Sequence, residues 1–222
     1  MSDLLFAGIS RRALLVGGGA LLATAFAPQV FAQRRSGPSE VSVDELMKPG
    51  DLPDLALGNS DAKVTIVEYA SMTCGHCANF HNNVFPELKK KYIDTGKVRF
   101  IMREFPLDNL AAAGSMLARC AGGDKTYPML DVLFQRQNDW VVRQNPVPKL
   151  FELAKQAGFT QESFDKCLTD DKLLSQIEAS RTRAGDAFGV SSTPTFFING
   201  KRLEGAPTVA EFDKVLEPLL KG

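Results

Sequence analysis

The sequence predicts an α/β protein whose sheet is interrupted by a long, purely helical stretch. Three observations predict it. Residues 64–70 (VTIVEYA) and 98–105 (VRFIMREF) are near-continuous apolar, β-branched runs of strand length, the pattern of strands buried on both faces. Between them, residues 73–77 (TCGHC) open a helix-period pattern. After residue 106 no strand pattern returns until residues 195–200 (TFFING). The simplest organisation is one discontinuous α/β domain, residues 53–106 and 189–222, with an all-helical insertion over 107–188.

Residues 1–32 read as a targeting segment. Arg11 and Arg12 follow Ser10, an apolar run of about 15 residues follows at 13–27, and Val30-Phe31-Ala32 offers a small-residue cleavage site. The run is short of the roughly 20 residues that span a bilayer. The pattern suits a twin-arginine export signal; a general secretory signal and an uncleaved anchor are the other readings. Removal would start the mature chain near Gln33, in an oxidising compartment such as the periplasm. It would take away Arg11, Arg12 and Asp3, leaving 24 basic and 25 acidic residues of the 26 of each in the whole chain. That balance offers no basic field for nucleic acid.

A linker over 33–52 leads in, with a short helical piece at 43–47 stopped by Pro49-Gly50. Residues 51–58 suit an edge strand, because Pro53 cannot donate to a central ladder. Cys77, Phe80, Val84 and Leu88 then share a helical face, with Pro86 expected to kink that helix. Leu110, Ala113, Leu117 and Cys120 mark the next helical face, followed by Leu130, Leu133 and Phe134. Leu150, Leu153 and Ala154 mark a third helix stopped by Gly158, and Thr160 caps a fourth carrying Phe164, Cys167 and Leu168. Leu174, Ile177, Ala184 and Phe188 run along a fifth, stopped by Gly189. Asn199-Gly200 predicts a hairpin into 202–206, and Thr208 with Glu211 forms a capping box for a last amphipathic helix.

The spacing of Cys74 and Cys77 carries the chemistry. Cys74 falls at a helix N-terminus, where unpaired N–H groups and the helix dipole favour a thiolate. Cys77 lies one turn on, more buried, and placed to close a disulfide with Cys74. Cys74 is therefore the expected attacking thiol and Cys77 the resolving one. Gly75 leaves the approach to Cys74 open, and a cationic His76 would stabilise its thiolate further. A stabilised thiolate makes the disulfide form the stronger oxidant. A metal site would want four ligands, and Cys74, Cys77 and His81 supply three at most. A purely structural disulfide would close too small a loop to stabilise much.

VTIVEYASMTCGHC, the helical insertion and SSTPTFFING together resemble the DsbA-like thiol:disulfide oxidoreductases, exported bacterial proteins of the thioredoxin fold. The resemblance covers about residues 55–220 and implies that Cys74 and Cys77 are the catalytic pair. It matches Thr193-Pro194 to a cis-proline facing the active-site disulfide, with the Thr193 backbone available to an extended substrate peptide. It matches Glu68 to a buried acid beneath the cysteines, suited to relaying the Cys77 proton. The Gly-His dipeptide and Thr193 depart from the founding pattern, and both occur in isomerase-type relatives; a threonine hydroxyl there can hydrogen-bond a nearby sulfur.

Cys120 and Cys167, on their own residues, are two buried free thiols or one disulfide. Some α-proteobacterial-type relatives carry a second disulfide in the helical lobe. The family implies no cofactor. It implies exported, unfolded polypeptides with free thiols as substrates and a quinone-linked, DsbB-like membrane partner that reoxidises the protein. Without a stalk of sustained heptads ahead of the fold, a monomer is expected. An isomerase or reductase kept reduced by a membrane donor, and a metal-binding module, are the alternatives to the oxidase.

Overall fold

The computed structural model describes residues 37–205 and 207–221. The leader expected at 1–32 lies outside the described residues. Five strands form one sheet in the order β1-β3-β2-β4-β5: β1 Leu55–Leu57, β2 Val64–Ala70, β3 Val98–Glu104, β4 Thr195–Ile198 and β5 Lys201–Glu204. β2 and β3 run parallel, and every other pair is antiparallel. β1 is a three-residue edge strand beginning two positions after Pro53. The β4–β5 turn places Asn199 at φ 46° and Gly200 at φ 84°, the left-handed pair that an Asn-Gly hairpin turn requires. Gly200 has a second constraint: a Cβ there would lie 2.4 Å from the Val41 carbonyl oxygen.

Strand alternation divides the core in two. Val64, Ile66 and Ala70 of β2 join Val98, Phe100 and Met102 of β3 and Phe196 and Ile198 of β4 on one face. Val67, Tyr69, Ile101, Phe105 and Phe197 occupy the other. That second face is closed by α1 (Val43–Met47) through Leu46 and by the end of a long helix through Ala184 and Phe188. Arg103, buried on this face, makes a bidentate pair with Asp54 at 2.8 and 3.0 Å and also donates to the Leu46 carbonyl. These bonds tie the entry segment across the sheet.

After β2 the chain enters α2 (Gly75–Asn79), a π-helical turn over Phe80–Val84, α3 (Phe85–Leu88) and a second π turn over Lys89–Ile93. Pro86 does not interrupt a regular helix. It sits in the first turn of α3, directly after the π turn. Phe80 is fully buried against Phe196 and Phe212, with ring centroids 4.7 and 5.8 Å away. Truncating such a ring to alanine costs about 3–5 kcal/mol.

Between β3 and β4 the described residues are helical: α4 Asn109–Ala121, a 3₁₀ turn at Gly123–Lys125, α5 Thr126–Gln135, α6 Gln137–Trp140, α7 Pro146–Gln156, α8 Gln161–Leu168 and α9 Asp171–Phe188. Helix α10 (Val209–Lys221) ends the described chain. One apolar cluster runs without a break from β2 and β3 through Leu117, Leu133, Trp140 and Phe164, so helices and sheet share a core. Thr160 caps α8 as its sequence predicts, and Asp108 and Asp170 likewise accept a backbone N–H in the first turn of α4 and α9.

Candidate active site

The parallel pair β2–β3 delivers the chain to the start of α2, where Cys74 is the N-cap. Its Sγ accepts the Cys77 N–H at 3.3 Å. From the other side, the Cys74 thiol donates to the Thr193 carbonyl at 3.3 Å. The Thr193–Pro194 bond is cis. Cys74 keeps 8% of its surface and Cys77 none, so of the two cysteines only Cys74 borders solvent.

The two thiols differ sharply in acidity. The Cys74 pKa is lowered from the ordinary 9.0 to about 5. The Cys77 thiol donating to the Cys74 sulfur lowers it most, burial opposes, and the Thr193 side chain and the N–H groups of Cys77 and His76 add to the lowering. Cys77 is pushed far upward, first by burial, then by its bond to Cys74 and by the charge of Glu68. His76 contributes to this lowering through its backbone N–H at the helix start, and its side chain is exposed. Thr193 Oγ1 is buried with no partner at hydrogen-bonding geometry, so the hydroxyl acts as a nearby dipole and the carbonyl makes the bond to sulfur. Gly75 is exposed, and a Cβ there would meet no atom within 4 Å. Packing does not demand glycine; open access to Cys74 is what it supplies.

Beneath the cysteines, Glu68 sits fully buried on β2, between Met102 and Phe196 of the neighbouring strands. His81 Nε2 lies 2.8 Å from Glu68 Oε2, and His81 is itself buried. The histidine that the sequence offered as a third metal ligand is thus engaged by Glu68. No group of three or more His, Cys, Asp or Glu side chains placed to hold a metal occurs among the described residues.

Sequence reasoning missed two further groups. Gln137 of α6, itself buried, donates from Nε2 to the carbonyls of Met72 at 2.9 Å and Cys74 at 3.1 Å. It pins the strand-to-helix turn from the helical side, and a lone glutamine in a helical pattern carries no signal for that. Asp108 caps α4 and accepts the Thr73 hydroxyl at 2.8 Å, tying the residue before Cys74 to the start of α4. The spacing of His81 four residues after Cys77 was a signal for its nearness to the cysteines, whereas its pairing with Glu68 carried none. Away from this site, Cys120 and Cys167 are bonded, with Cα atoms 6.1 Å apart, joining α4 to α8. Cys167 is buried but Cys120 is exposed, so this bond reaches the surface instead of lying wholly inside the helical core.

The chain matches a family model described as Thioredoxin over residues 51–218. It is 37% identical over 194 residues to a Rickettsia bellii protein named as a protein-disulfide oxidoreductase, covering 86% of this chain and 74% of that protein. A Rickettsia conorii protein of the same description is 34% identical over 76% of this chain, which spans only 61% of that relative's length. Among solved structures, Wolbachia pipientis alpha-DsbA1 superposes with a TM-score of 0.74 at 32% identity, covering 81% of this chain and 96% of that one.

Proposed function

The chain belongs to the DsbA-like thiol:disulfide oxidoreductases of the thioredoxin fold, and from that premise we propose that it is an exported oxidase that introduces disulfides into translocated polypeptides. One observation carries the direction: the outer thiol ionises near pH 5 while the inner one is held protonated. A Cys74 thiolate stabilises the reduced protein, so the oxidised protein gives up its disulfide readily.

In the first step a substrate thiolate attacks Cys74 Sγ of the Cys74–Cys77 disulfide. The Cys77 sulfur leaves with the bonding pair and takes a proton. A second substrate thiolate then attacks the substrate sulfur of the mixed disulfide, and Cys74 leaves as its stabilised thiolate. The substrate loses two electrons and the enzyme gains them. A membrane partner carrying a disulfide takes them back. Glu68, buried beside Cys77, is the acid that exchanges the proton with it. The cis-proline loop, whose Thr193 carbonyl already meets Cys74 Sγ, is the surface on which an extended substrate lies. The leader over 1–32 takes the chain to the periplasm, where it acts as a monomer.

The test supplies oxidised protein to a reduced, unfolded protein with several native disulfides, and reduced protein to a scrambled one. The oxidase forms disulfides rapidly in the first and repairs the second poorly. Efficient repair of the scrambled substrate without oxidation of the reduced one would replace the oxidase with the isomerase.

A further inference from the structure

Each catalytic cycle opens and closes the Cys74–Cys77 bond, so a proton must reach the Cys77 sulfur and leave it once per cycle. Solvent does not deliver it, because Cys77 and Glu68 have no exposed surface. The carboxyl of Glu68 is asymmetric. Oε2 is bonded to His81 Nε2 at 2.8 Å, while Oε1 is buried with no hydrogen-bond partner. An unpaired buried carboxyl oxygen is a costly arrangement for a structural acid. The His81 ring is held in place by stacking on Phe134 at 4.2 Å and 12°, and by contact with Phe85 at 5.1 Å. Cys77 and His81 are four residues apart on the same continuous helical run, and the Glu68 carboxyl is bonded to His81 while its charge acts on Cys77.

We infer that His81 is a positioning residue for the resolving step: it binds Oε2 of Glu68 so that Oε1 stays available to exchange a proton with Cys77 Sγ. This rests on the reading of Glu68 as the proton-exchanging acid and extends it. During reoxidation Cys74 is joined to the membrane partner. The Cys77 thiol gives its proton to Glu68 Oε1, its sulfur attacks Cys74 Sγ, and the partner's sulfur leaves as a thiolate with the bonding pair. Two electrons pass to the partner. When a substrate thiolate later opens the Cys74–Cys77 bond, the same proton returns from Glu68 to the departing Cys77 sulfur. The other titratable groups that sense this pair are on α5: Tyr127 feels the charge of Glu68, and Asp131 feels that of His81 and of Lys89 in the second π turn. The neighbouring β3 and β4 present Met102 and Phe196 to Glu68, neither of them charged.

Both steps can be read in one reaction by mixing reduced protein with an aromatic disulfide whose released thiolate is coloured. The first release reports attack by Cys74, and the second reports closure by Cys77. His81→Leu should leave the first phase unchanged and slow the second about tenfold, the loss of one hydrogen bond. Its second phase should also become dependent on solvent pH where that of the unaltered protein is flat. His81→Gln, which keeps a donor for Oε2, should recover most of the rate. Glu68→Gln should slow the second phase about a hundredfold, and adding His81→Leu to it should slow it no further. A normal second phase in His81→Leu with a slow one in Glu68→Gln overturns the role of His81 and leaves that of Glu68 standing. An equal slowing by His81→Leu in the Glu68→Gln background makes His81 merely structural and also overturns it. A normal second phase in Glu68→Gln removes the proton-exchange reading itself. Should His81→Leu fail to fold, His81→Asn, whose amide is too short to span the contact, takes its place with the same outcomes.

Discussion

Changing pH should change the relative stability of the reduced and oxidised protein in a defined direction. In the reduced fold Cys74 ionises near pH 5, whereas in the unfolded chain it keeps its ordinary value of 9.0. Between those two values the unfolded state holds a proton that the folded state has released. Reduced-state stability therefore rises with pH through this window, is complete above pH 9 and is lost as pH falls through 5. From pH 5 to pH 8 the unscreened gain is just under 4 kcal/mol, at about 1.4 kcal/mol per unit. Solvent borders Cys74 and screens part of it, leaving about 2–4 kcal/mol. The oxidised protein has no Cys74 thiol and no such gain; its small closed loop contributes about 2 kcal/mol independent of pH. The disulfide form should be the more stable at pH 5, and the reduced form should equal or overtake it by pH 8. Urea unfolding of both forms at pH 5, 6, 7 and 8 measures the gap, and the ultraviolet absorbance of the thiolate gives the midpoint directly. A gap that stays constant across this range, or a thiolate midpoint near 8 or 9, refutes the reasoning.

Cys77→Ser should accumulate a stable mixed disulfide at Cys74 and lose turnover, as read by mass; turnover without trapping would contradict the roles given to the two sulfurs. Removing the second disulfide with Cys120→Ala/Cys167→Ala should cost about 2–4 kcal/mol in urea unfolding, because it frees a loop of sequence separation 47 in the unfolded chain. Gln137→Leu should cost about 1–3 kcal/mol, since it leaves the Met72 carbonyl without its buried donor, while the Cys74 carbonyl keeps the Ala78 N–H. Expressed in a bacterium, the exported chain should begin near Gln33 by mass, and lysine substitution of Arg11 and Arg12 should leave it at full length if the twin-arginine route carries it.

What the sequence made legible was what local pattern controls. β2 and β3 announced themselves because strands buried on both faces need unbroken apolar runs. Cys74 at a helix start was legible because the strand ends and the helical face begins around it. The hairpin at Asn199-Gly200 was legible because few residue pairs accept two positive φ angles. The illegible parts depend on pairing across distance. Glu68 meets His81 only because a strand and a helix lie together, and Gln137 reaches the Cys74 carbonyl across 63 positions through a four-residue helix. The π turn before Pro86 was hidden for a related reason: apolar positions a helical turn apart fit both a regular helix and one with an extra residue per turn. Helix α9 showed its apolar face but not its destination, which is the far side of the sheet.

The equilibrium reduction potential of the Cys74–Cys77 pair against a glutathione buffer, with Cys120 and Cys167 confirmed as bonded by mass, tests the central claim most directly. Lowering the attacking thiol from about 7, the thioredoxin value, to about 5 stabilises the reduced form at pH 7 by about 2.3 kcal/mol. For a two-electron couple that is about 50 mV above thioredoxin's −270 mV. A potential between about −220 and −120 mV is the result expected of a protein that donates its disulfide. A potential at or below about −270 mV would make the pair a reductant and contradict the account.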